Sequence, residues 1–264
     1  MKSYSVIMTD DVHRELVNHL VRADKQEDLC FATYVPGTGS SRSTAIISQV
    51  ILPVKGDREV HGNVGFLPQY FERVLKIAGN RKEGIAFLHS HPAKGWQGMS
   101  EDDIVAETRM SPTVMGVTGI PLVGLTLGTD GAWSGRFWVK DETQKRKYDR
   151  RWCENVRVIG KGLSITYNDN LVAPVFDSSK QLRTISAWGS RTQEDLSRLR
   201  ICIAGLGSVG SIVAEILART GISKFTLIDF DSAEEKNLDR LTNIFASDTG
   251  LAKVQAVATG IRRS

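Results

Sequence analysis

The strongest constraint on the fold is a strand, a glycine-rich turn, a helix and a second strand that follow one another near the C-terminus. An apolar run at 199–204 precedes the turn, and a helical pattern at 211–219 follows it. The turn contains Gly205, Gly207 and Gly210. Glycines permit a tight turn that lets the backbone approach a phosphate, and the helix N-terminus offers it free N–H groups. The segment therefore predicts a Rossmann-like α/β fold with a nucleotide site at the turn.

An acidic residue follows the second strand of this segment. The strand covers 224–228, and Asp229 comes directly after it, where a carboxylate can bind ribose hydroxyl groups. The glycine pattern by itself does not separate ATP from NAD. Asp231 and the motifs at 237–240 and 250–253 come next, and a dehydrogenase has no reason to place them there.

Taken together, these motifs resemble the ThiF and ubiquitin-activating adenylation family. Its pattern is Gly-x-Gly-x-x-Gly, Asp-x-Asp, Asn-x-x-Arg and Gly-x-x-Lys, and this chain has each part in that order. The resemblance implies that Asp229 binds the ribose of a nucleotide, next to Asp231. It also implies that Asn237, Arg240 and Lys253 contact or position the phosphates of ATP with Mg²⁺. The alternative is that Asn237 and Arg240 form a helix cap with a solvated partner.

Residues 199–264 hold fewer strands than a closed adenylation domain. They provide two strands and their helices, whereas an adenylating fold needs several more strands to close its sheet. The family's distal magnesium-binding aspartate and its catalytic cysteine have no counterpart before Ser264. We therefore expect an incomplete, Rossmann-like ThiF-type domain that does not adenylate a substrate by itself.

A second group of reactive side chains begins at the end of a predicted buried strand. The apolar run 84–88 predicts the strand, and His89 and His91 share a face because alternate strand residues point the same way. Pro92 cannot donate a ladder hydrogen bond, so the strand should end there. The two imidazoles are therefore expected side by side.

A helix that begins at Ser100 is expected to bring a carboxylate to the two histidines. Ser100 and Asp103 are three residues apart, so both can face back toward the histidine pair from the first turn. Two imidazoles and the Asp103 carboxylate leave a fourth position open, which is the arrangement of catalytic zinc and lowers the pKa of a bound water. The simpler interpretation of Ser100 and Asp103 is an ordinary capping box.

The remaining acid–base groups are assigned from the local pattern alone. Glu27 precedes the apolar run 29–34 and is the preferred general base, pointing inward from a neighbouring strand. Asp28 is the alternative, since alternation puts it on the opposite face.

The other three histidines are expected on the solvent side of a helix or in a polar loop: His13, His19 and His61.

The upstream Glu, the His-x-His-Pro and the Ser-x-x-Asp together resemble the JAB/MPN metalloprotease family and its JAMM motif. The resemblance covers about residues 1 to 170 in element order: an early helix, a Glu-bearing strand, a helix near 70–78 and the motif strand. It implies a cytidine-deaminase-like α/β fold with His89, His91 and Asp103 as zinc ligands. Glu27 would then be the general base, and Ser100 would steady the tetrahedral oxyanion. The loop between His91 and Ser100 is one residue longer than in many members, which predicts a bulge.

The two resemblances together predict a zinc-dependent peptidase or isopeptidase, deubiquitinase-like, that carries a partial ATP-dependent activating domain. Its expected setting is a bacterial ubiquitin-like pathway, with phage defence as one example. The expected partners are a ubiquitin-like protein or its conjugates and a conjugating-enzyme-like protein, and a homodimer is also allowed. Two alternatives stay open: a metal-free MPN-like docking scaffold, and a peptidase that processes a sulfur-carrier protein.

The composition of the chain agrees with two globular domains. Among 264 residues, 41% are apolar and 24% charged, which is ordinary for a soluble protein. The net charge of +4 is modest, and the densest basic run, 145–151, includes an aspartate without any groove-reading motif, which argues against nucleic acid as a partner. We expect a metalloprotease domain at 1–170, a linker at 171–190 and the nucleotide-binding domain at 191–264.

The cysteines and the N-terminus indicate the compartment. Cys30, Cys153 and Cys202 are an odd number with no Cys-x-x-Cys pair, so we expect reduced and buried thiols. The N-terminal segment is too short in apolar residues for a signal sequence, and no apolar run is long enough to span a membrane. The sequence therefore predicts a cytoplasmic protein without a membrane partner.

Overall fold

The computed structural model of the protein describes residues 2–37, 39–61, 63–144, 147–175 and 179–263. The chain divides into two compact units, Met1–Leu171 and Val172–Ser264. The segment expected to be a linker, 171–190, contains the helix α4 (Leu182–Trp188). In the basic run, Lys145 and Arg146 lie outside the described residues.

The N-terminal unit is a mixed α/β structure built around one large sheet. Its elements are, in chain order, β1 (Ser3–Thr9), α1 (Asp10–Leu20), β2 (Leu29–Pro36), β3 (Arg42–Ile51), β4 (Arg58–His61), β5 (Asn63–Phe66), α2 (Pro68–Arg81), β6 (Gly84–Ser90), α3 (Glu101–Thr118), β7 (Leu122–Leu127), β8 (Trp133–Lys140), β9 (Tyr148–Trp152), β10 (Asn155–Ile159) and β11 (Leu163–Tyr167). Nine of the strands form a sheet in the order β11-β10-β1-β3-β2-β6-β7-β8-β9. The expected early helix, the helix near 70–78 and the motif strand are therefore present.

The central strand β6 is buried along its whole length, as its unbroken apolar run predicts. It pairs antiparallel with β2 and parallel with β7. Alternate residues of β6 enter two different core layers: Ala86 and Leu88 pack in the layer that contains residues of α1, while Ile85 and Phe87 pack in the layer that contains residues of α2 and α3. Strand periodicity therefore directs the next odd-numbered residue to the side of α3.

The C-terminal unit contains the strand, turn, helix and strand that the sequence predicts. Its helices are α4, α5 (Ser190–Arg198), α6 (Ser208–Arg219) and α7 (Lys253–Arg263), and its strands are β12 (Arg200–Ala204) and β13 (Lys224–Ile228). The two strands are parallel neighbours, so α6 is the crossover of a βαβ unit. The helix begins at Ser208, three residues earlier than the pattern suggests, because the glycine turn closes directly into its first turn.

Two of the three cysteines are buried as expected, and the third is not. Cys30 and Cys153 are buried, and burial raises the pKa of both thiols well above the usual range. Cys202, in β12, is exposed because one side of this two-stranded sheet is not covered within the unit.

Within the described parts of the chain, no helix combines the length and the apolar character needed to cross a bilayer.

Candidate functional site

The two motif histidines lie side by side at the end of β6. His89 is the penultimate residue of the strand, and its Nε2 lies 3.1 Å from Nε2 of His91. The backbone N–H of His91 donates to the carbonyl of Leu127 at 2.9 Å, which holds the chain against β7 just before Pro92. Only 3% of His89 is exposed. The expected projection of both imidazoles to one place is therefore what the structure shows.

Asp103 reaches both histidines from the first turn of α3. Its Oδ1 lies 3.2 Å from Nε2 of His89, and its Oδ2 lies 3.3 Å from Nε2 of His91. Burial raises the pKa of Asp103, but hydrogen bonds from the two histidines outweigh this effect and hold the pKa well below its usual range. The hydrogen bond to Asp103 in turn raises the pKa of His91.

The three side chains have the spacing of a metal centre. The two Nε2 atoms lie 3.1 Å apart, and each of them lies 3.2 or 3.3 Å from one of the two carboxylate oxygens of Asp103. Three donors on a tetrahedral ion with bonds of about 2.0 Å would be about 3.3 Å apart. Within the described residues, these are the side chains that cluster tightly enough to hold such an ion. Two imidazoles and a carboxylate fit a divalent transition-metal ion.

Ser100 performs the capping role that the sequence leaves open. Its hydroxyl oxygen accepts from the backbone N–H of Asp103 at 3.1 Å, and its own N–H donates to Oδ2 of Asp103 at 2.9 Å. This capping box fixes the first turn of α3 and with it the Asp103 carboxylate. Ser100 itself is exposed, and the oxyanion role stays a prediction.

The two candidate bases, Glu27 and Asp28, have different surroundings. Glu27 is half-buried and lines a cavity of about 330 Å³ together with His91, whose pKa its charge helps to raise. Asp28 is 1% exposed, and its carboxylate accepts from Arg58, from Arg22 at 3.4 Å and from its neighbour's backbone N–H at 2.7 Å. Asp28 is therefore held in an ion-pair cluster, whereas Glu27 lines the cavity.

The prediction that His13 and His19 face solvent is wrong. His19 has only 14% of its side chain exposed and places Nε2 3.0 Å from the carbonyl of Leu29. His13 is half-buried and accepts from the indole N–H of Trp133 at 3.0 Å. Helix periodicity did not reveal either environment, because the covering groups come from distant parts of the chain. The side chain of His61 lies outside the described residues.

A buried polar cluster behind the histidines has no counterpart in the sequence predictions. Glu107 and Arg136, both fully buried, form a two-pronged ion pair between α3 and β8. The indole N–H of Trp138 also donates to Glu107, and Arg136 donates to the hydroxyl of Thr126 at 2.5 Å. The signal in the sequence was Arg136, an arginine directly before the apolar run 137–139.

The glycine turn of the C-terminal unit requires glycine at two positions. Gly205 has a φ of +88°, which side-chain-bearing residues adopt rarely. A Cβ on Gly210 would lie 1.9 Å from the carbonyl oxygen of Gly205. Gly207 is the N-cap of α6, and it makes no side-chain capping bond. The first N–H groups of α6 are thus left available to an anion.

Asp229 is bound to the glycine turn. Its Oδ2 accepts from the backbone N–H of Leu206 at 2.6 Å, and its Oδ1 accepts from that of Asp231 at 2.8 Å. Burial raises the pKa of Asp229, but these two N–H groups outweigh it and lower the pKa. Asp231 in turn accepts from the ammonium group of Lys253 at 2.7 Å. The structure therefore brings the turn, both aspartates and the lysine together.

Asn237 and Arg240 make their contacts within their own turn. The side-chain oxygen of Asn237 accepts from the backbone N–H of Glu234 at 3.3 Å, which caps the short helix Glu235–Asn237. Arg240 donates to the carbonyl of Lys236 and to Asp239, both at 2.9 Å. The capping alternative describes the present geometry of these two residues, and a role on phosphates stays a prediction.

Comparison with known proteins finds similarity in the C-terminal part of the chain. Residues 178–264 match the model of the ThiF family. The chain is 39% identical over 80 residues to the tRNA threonylcarbamoyladenosine dehydratase of Escherichia coli K12, which covers 30% of either chain. It is 37% identical over 94 residues to ubiquitin-like modifier-activating enzyme 5 of Drosophila willistoni, covering 34% of this chain and 23% of the relative. The chain thus spans less than a third of the length of these relatives.

Solved structures are similar over the same share of the chain. A structure of the E. coli dehydratase in complex with ATP is 35% identical, covers 34% of this chain and 38% of that one, and has a TM-score of 0.33. E. coli MccB with AMPCPP and MccA is 26% identical, covers 34% and 28%, and has a TM-score of 0.31. The ThiF part of the sequence prediction is thereby confirmed by the family match, while the JAB/MPN resemblance of residues 1–170 stays a prediction.

These findings correct the predicted activity. The relatives found are a dehydratase and enzymes that activate ubiquitin-like modifiers, not peptidases. The prediction of a zinc-dependent peptidase acting on ubiquitin-like tails is therefore wrong, together with its hydrolase class and its alternatives of a docking scaffold and a carrier-processing peptidase. The same findings lend no support to zinc as the cofactor. The ligand arrangement misled the interpretation because a coordination geometry does not by itself specify a reaction.

Proposed function

We propose that the C-terminal unit binds ATP and takes part in the ATP-dependent activation of a carboxyl group. The observation that carries this proposal is the turn from Gly205 to Gly210, which leads into an uncapped N-terminus of α6. A phosphate at that point meets free N–H groups and the favourable end of the helix dipole. The match of residues 178–264 to the ThiF family supports ATP over a dinucleotide.

The charged groups beside the turn suit a nucleotide with its metal ion. The Asp229 carboxylate, already fixed by two N–H groups, is proposed to accept from the ribose hydroxyls. Lys253 and Asp231 are paired in the present structure, and a triphosphate with Mg²⁺ offers each of them a new partner of opposite charge. Arg240, which is exposed, is proposed to turn toward the phosphates, and Asn237, which is buried and caps the same turn, is proposed to position it.

The proposed substrate is the C-terminal carboxylate of a ubiquitin-like protein or peptide. In the activation step, a carboxylate oxygen attacks the α-phosphorus of ATP, the bond to the β-phosphate oxygen breaks, and pyrophosphate leaves as the acyl adenylate forms. The similarity to an enzyme named for activating a ubiquitin-like modifier supports this class of partner.

The test is titration of the whole chain with ATP and Mg²⁺ by calorimetry. We expect saturable binding that weakens about tenfold or more in Lys253→Ala and in Asp229→Ala, because a charged hydrogen bond contributes roughly 1.5–3 kcal/mol. Lys236→Ala is the matched control, since Lys236 is exposed and pairs with Glu234. Equal affinity in all four proteins, or no binding by the unmodified chain, would contradict the proposal.

For the N-terminal unit we propose a divalent transition-metal ion on His89, His91 and Asp103, within a JAB/MPN-type arrangement of residues 1–170. The convergence of three ligand atoms supports the metal, and the order of the elements supports the arrangement. A bound ion of this kind polarises an oxygen ligand in its open position. Glu27, which shares the cavity with His91, is proposed as the group that exchanges a proton there, while Ser100 holds Asp103 by its cap.

Cobalt(II) titration followed by visible absorption tests this second site. We expect one Co²⁺ per chain with the intense bands of a four-coordinate ion, and loss of these bands in His89→Ala and Asp103→Ala. His13→Gln serves as control, because His13 contacts Trp133 and is not one of the three ligands. Bands that persist in the ligand variants would place the metal elsewhere.

A further inference from the structure

The fully buried ion pair of Glu107 and Arg136 reaches the proposed metal centre through one hydroxyl group, that of Thr126. The inference drawn from this contact rests on the metal site proposed above. Glu107 lies one helical turn after Asp103 on α3, so the same helix face supplies a ligand and the carboxylate of the ion pair. Thr126 lies on β7 as the strand neighbour of His89 on β6.

The space for this ion pair is built into the sheet. Gly124 pairs with Arg136 across β7 and β8, and a Cβ on Gly124 would lie 2.4 Å from Nε of Arg136 and as close to the Glu107 carboxylate. Both oxygens of Glu107 are occupied by Arg136, and one of them also accepts from Trp138. The guanidinium is thus held in one orientation, with its remaining nitrogen directed at Thr126.

The hydrogen bond from Arg136 determines what the Thr126 hydroxyl can do. A guanidinium has donors only, so the Thr126 oxygen must accept from it, and the hydroxyl proton is left for a different acceptor. Nε2 of His89 lies 3.4 Å from this oxygen, and Thr126 is fully buried. The ion pair therefore leaves the hydroxyl proton of Thr126 available to an acceptor in the space beside the His89 ligand atom.

The other nitrogen of His89 makes this contact important. Histidine ligands usually have their orientation fixed by a hydrogen bond at the nitrogen that does not bind the metal. In His89 that nitrogen, Nδ1, is buried and has no hydrogen-bond partner among the described residues. Among the residues that the structure describes, the hydroxyl of Thr126 is a hydrogen-bonding neighbour of the His89 ring from outside the three ligands, and it lies on the side of Nε2.

We propose that Thr126, held by the buried Arg136–Glu107 pair, is a positioning residue of the metal centre. The hydroxyl lies against Nε2 of His89, so the buried pair limits where this edge of the ring can lie beside His91 and Asp103. If His89, His91 and Asp103 held a metal ion, the hydroxyl of Thr126 would be available as a donor to an oxygen ligand of that ion.

The test compares Thr126→Val, which keeps the shape but removes the hydroxyl, with Thr126→Ser, which keeps the hydroxyl. Cobalt(II) affinity is measured by competition with a chromophoric chelator, and the visible spectrum reports the geometry of the ion. We expect a 10–100-fold weaker affinity and a changed spectrum in Thr126→Val, the range found when an outer hydrogen bond to a ligand is removed. Thr126→Ser should stay within about threefold of the unmodified protein.

The possible results separate this inference from the metal site beneath it. Unchanged affinity and spectrum in Thr126→Val would overturn the positioning role and leave the site intact. Equal losses in the Val and Ser variants would also overturn it, because packing rather than the hydroxyl would be responsible. Failure of the unmodified protein to bind Co²⁺ would overturn both. If Thr126→Val does not fold, Glu107→Gln, which releases Arg136, must show the same spectral change or the role is rejected.

Discussion

The hydrogen that stands in place of a side chain on Gly210 faces the carbonyl oxygen of Gly205, and a Cβ there would lie 1.9 Å from that oxygen. Because no rotation of a side chain can relieve a clash with backbone, the turn cannot accept any other residue without moving. This contact couples the first turn of α6 to the end of β12 and so defines the surface on which a phosphate would lie.

Gly210→Ala should therefore destabilise the C-terminal unit by about 1–3 kcal/mol, the usual cost of forced overpacking, and abolish ATP binding. Urea unfolding and calorimetric titration measure the two effects. Gly207→Ala is the control for the stability measurement alone, because a Cβ at Gly207 meets open space. Comparable stability of the two variants would show that the turn is not as rigid as its geometry indicates.

Asp28→Ala should lower the free energy of unfolding by about 1–3 kcal/mol, because it removes a buried carboxylate that accepts from two arginines and from a backbone N–H group. The carboxylate of Asp28 forms ion pairs with Arg58 and Arg22, and only 1% of the Asp28 side chain is exposed. Glu27→Gln, one residue away and half-buried, should change the free energy by less than about 0.5 kcal/mol. Chemical denaturation of both variants checks the contrast, and similar losses would refute the assignment of Asp28 to a structural cluster.

Stability of the C-terminal unit should depend on the charge of Asp229 at acid pH. Burial raises the folded-state pKa of Asp229, but hydrogen bonds from the N–H groups of Leu206 and Asp231 outweigh burial and lower the pKa. A lowered pKa means that the stabilisation is present above the unfolded value of about 3.9 and is lost as the pH falls through the folded pKa. The melting temperature should be measured at pH 5 and at pH 3, both about one unit from that value. It should fall less between these two pH values in Asp229→Asn than in the unmodified protein.

Removing one member of the Glu107–Arg136 pair should lower the free energy of unfolding far more than replacing both members with apolar residues. Arg136→Ala leaves a buried carboxylate, with an expected cost of about 3–5 kcal/mol, while the double variant Glu107→Leu/Arg136→Met should lose much less. Trp138 retains an unsatisfied indole N–H in the double variant, so some loss should remain. Urea unfolding measures these losses. A loss in the double variant equal to the sum of the losses in the two single variants would be inconsistent with coupling between the two charges.

Thiol labelling should distinguish the cysteines. Cys202 is exposed and should react rapidly with Ellman's reagent in the folded protein. Cys30 and Cys153 are buried, burial raises the pKa of both, and they should react only after unfolding. Cys202→Ser should therefore eliminate the fast phase, and rapid reaction of more than one thiol would contradict the burial of the other two.

The activity was predicted wrongly although the elements were predicted well. The motif strand, the helix after Ser100 and the βαβ segment all depend on periodicity and on residues that start or stop elements, which are local properties. The same local patterns suggested the three clustered ligands. The assignment of a peptidase required a further step, from ligands to reaction, that neither periodicity nor spacing could supply.

The sequence by itself determined where strands and helices form and that Gly205 and Gly210 close a turn before α6, because these depend on neighbours along the chain. Only the tertiary structure decided that Asp28 is buried with Arg58, that His19 is covered, and that Thr126 connects Arg136 to His89. Each of these contacts joins separate elements of the chain. Their burial and charge balance depend on which strands become neighbours in the sheet, and short-range patterns do not contain that information.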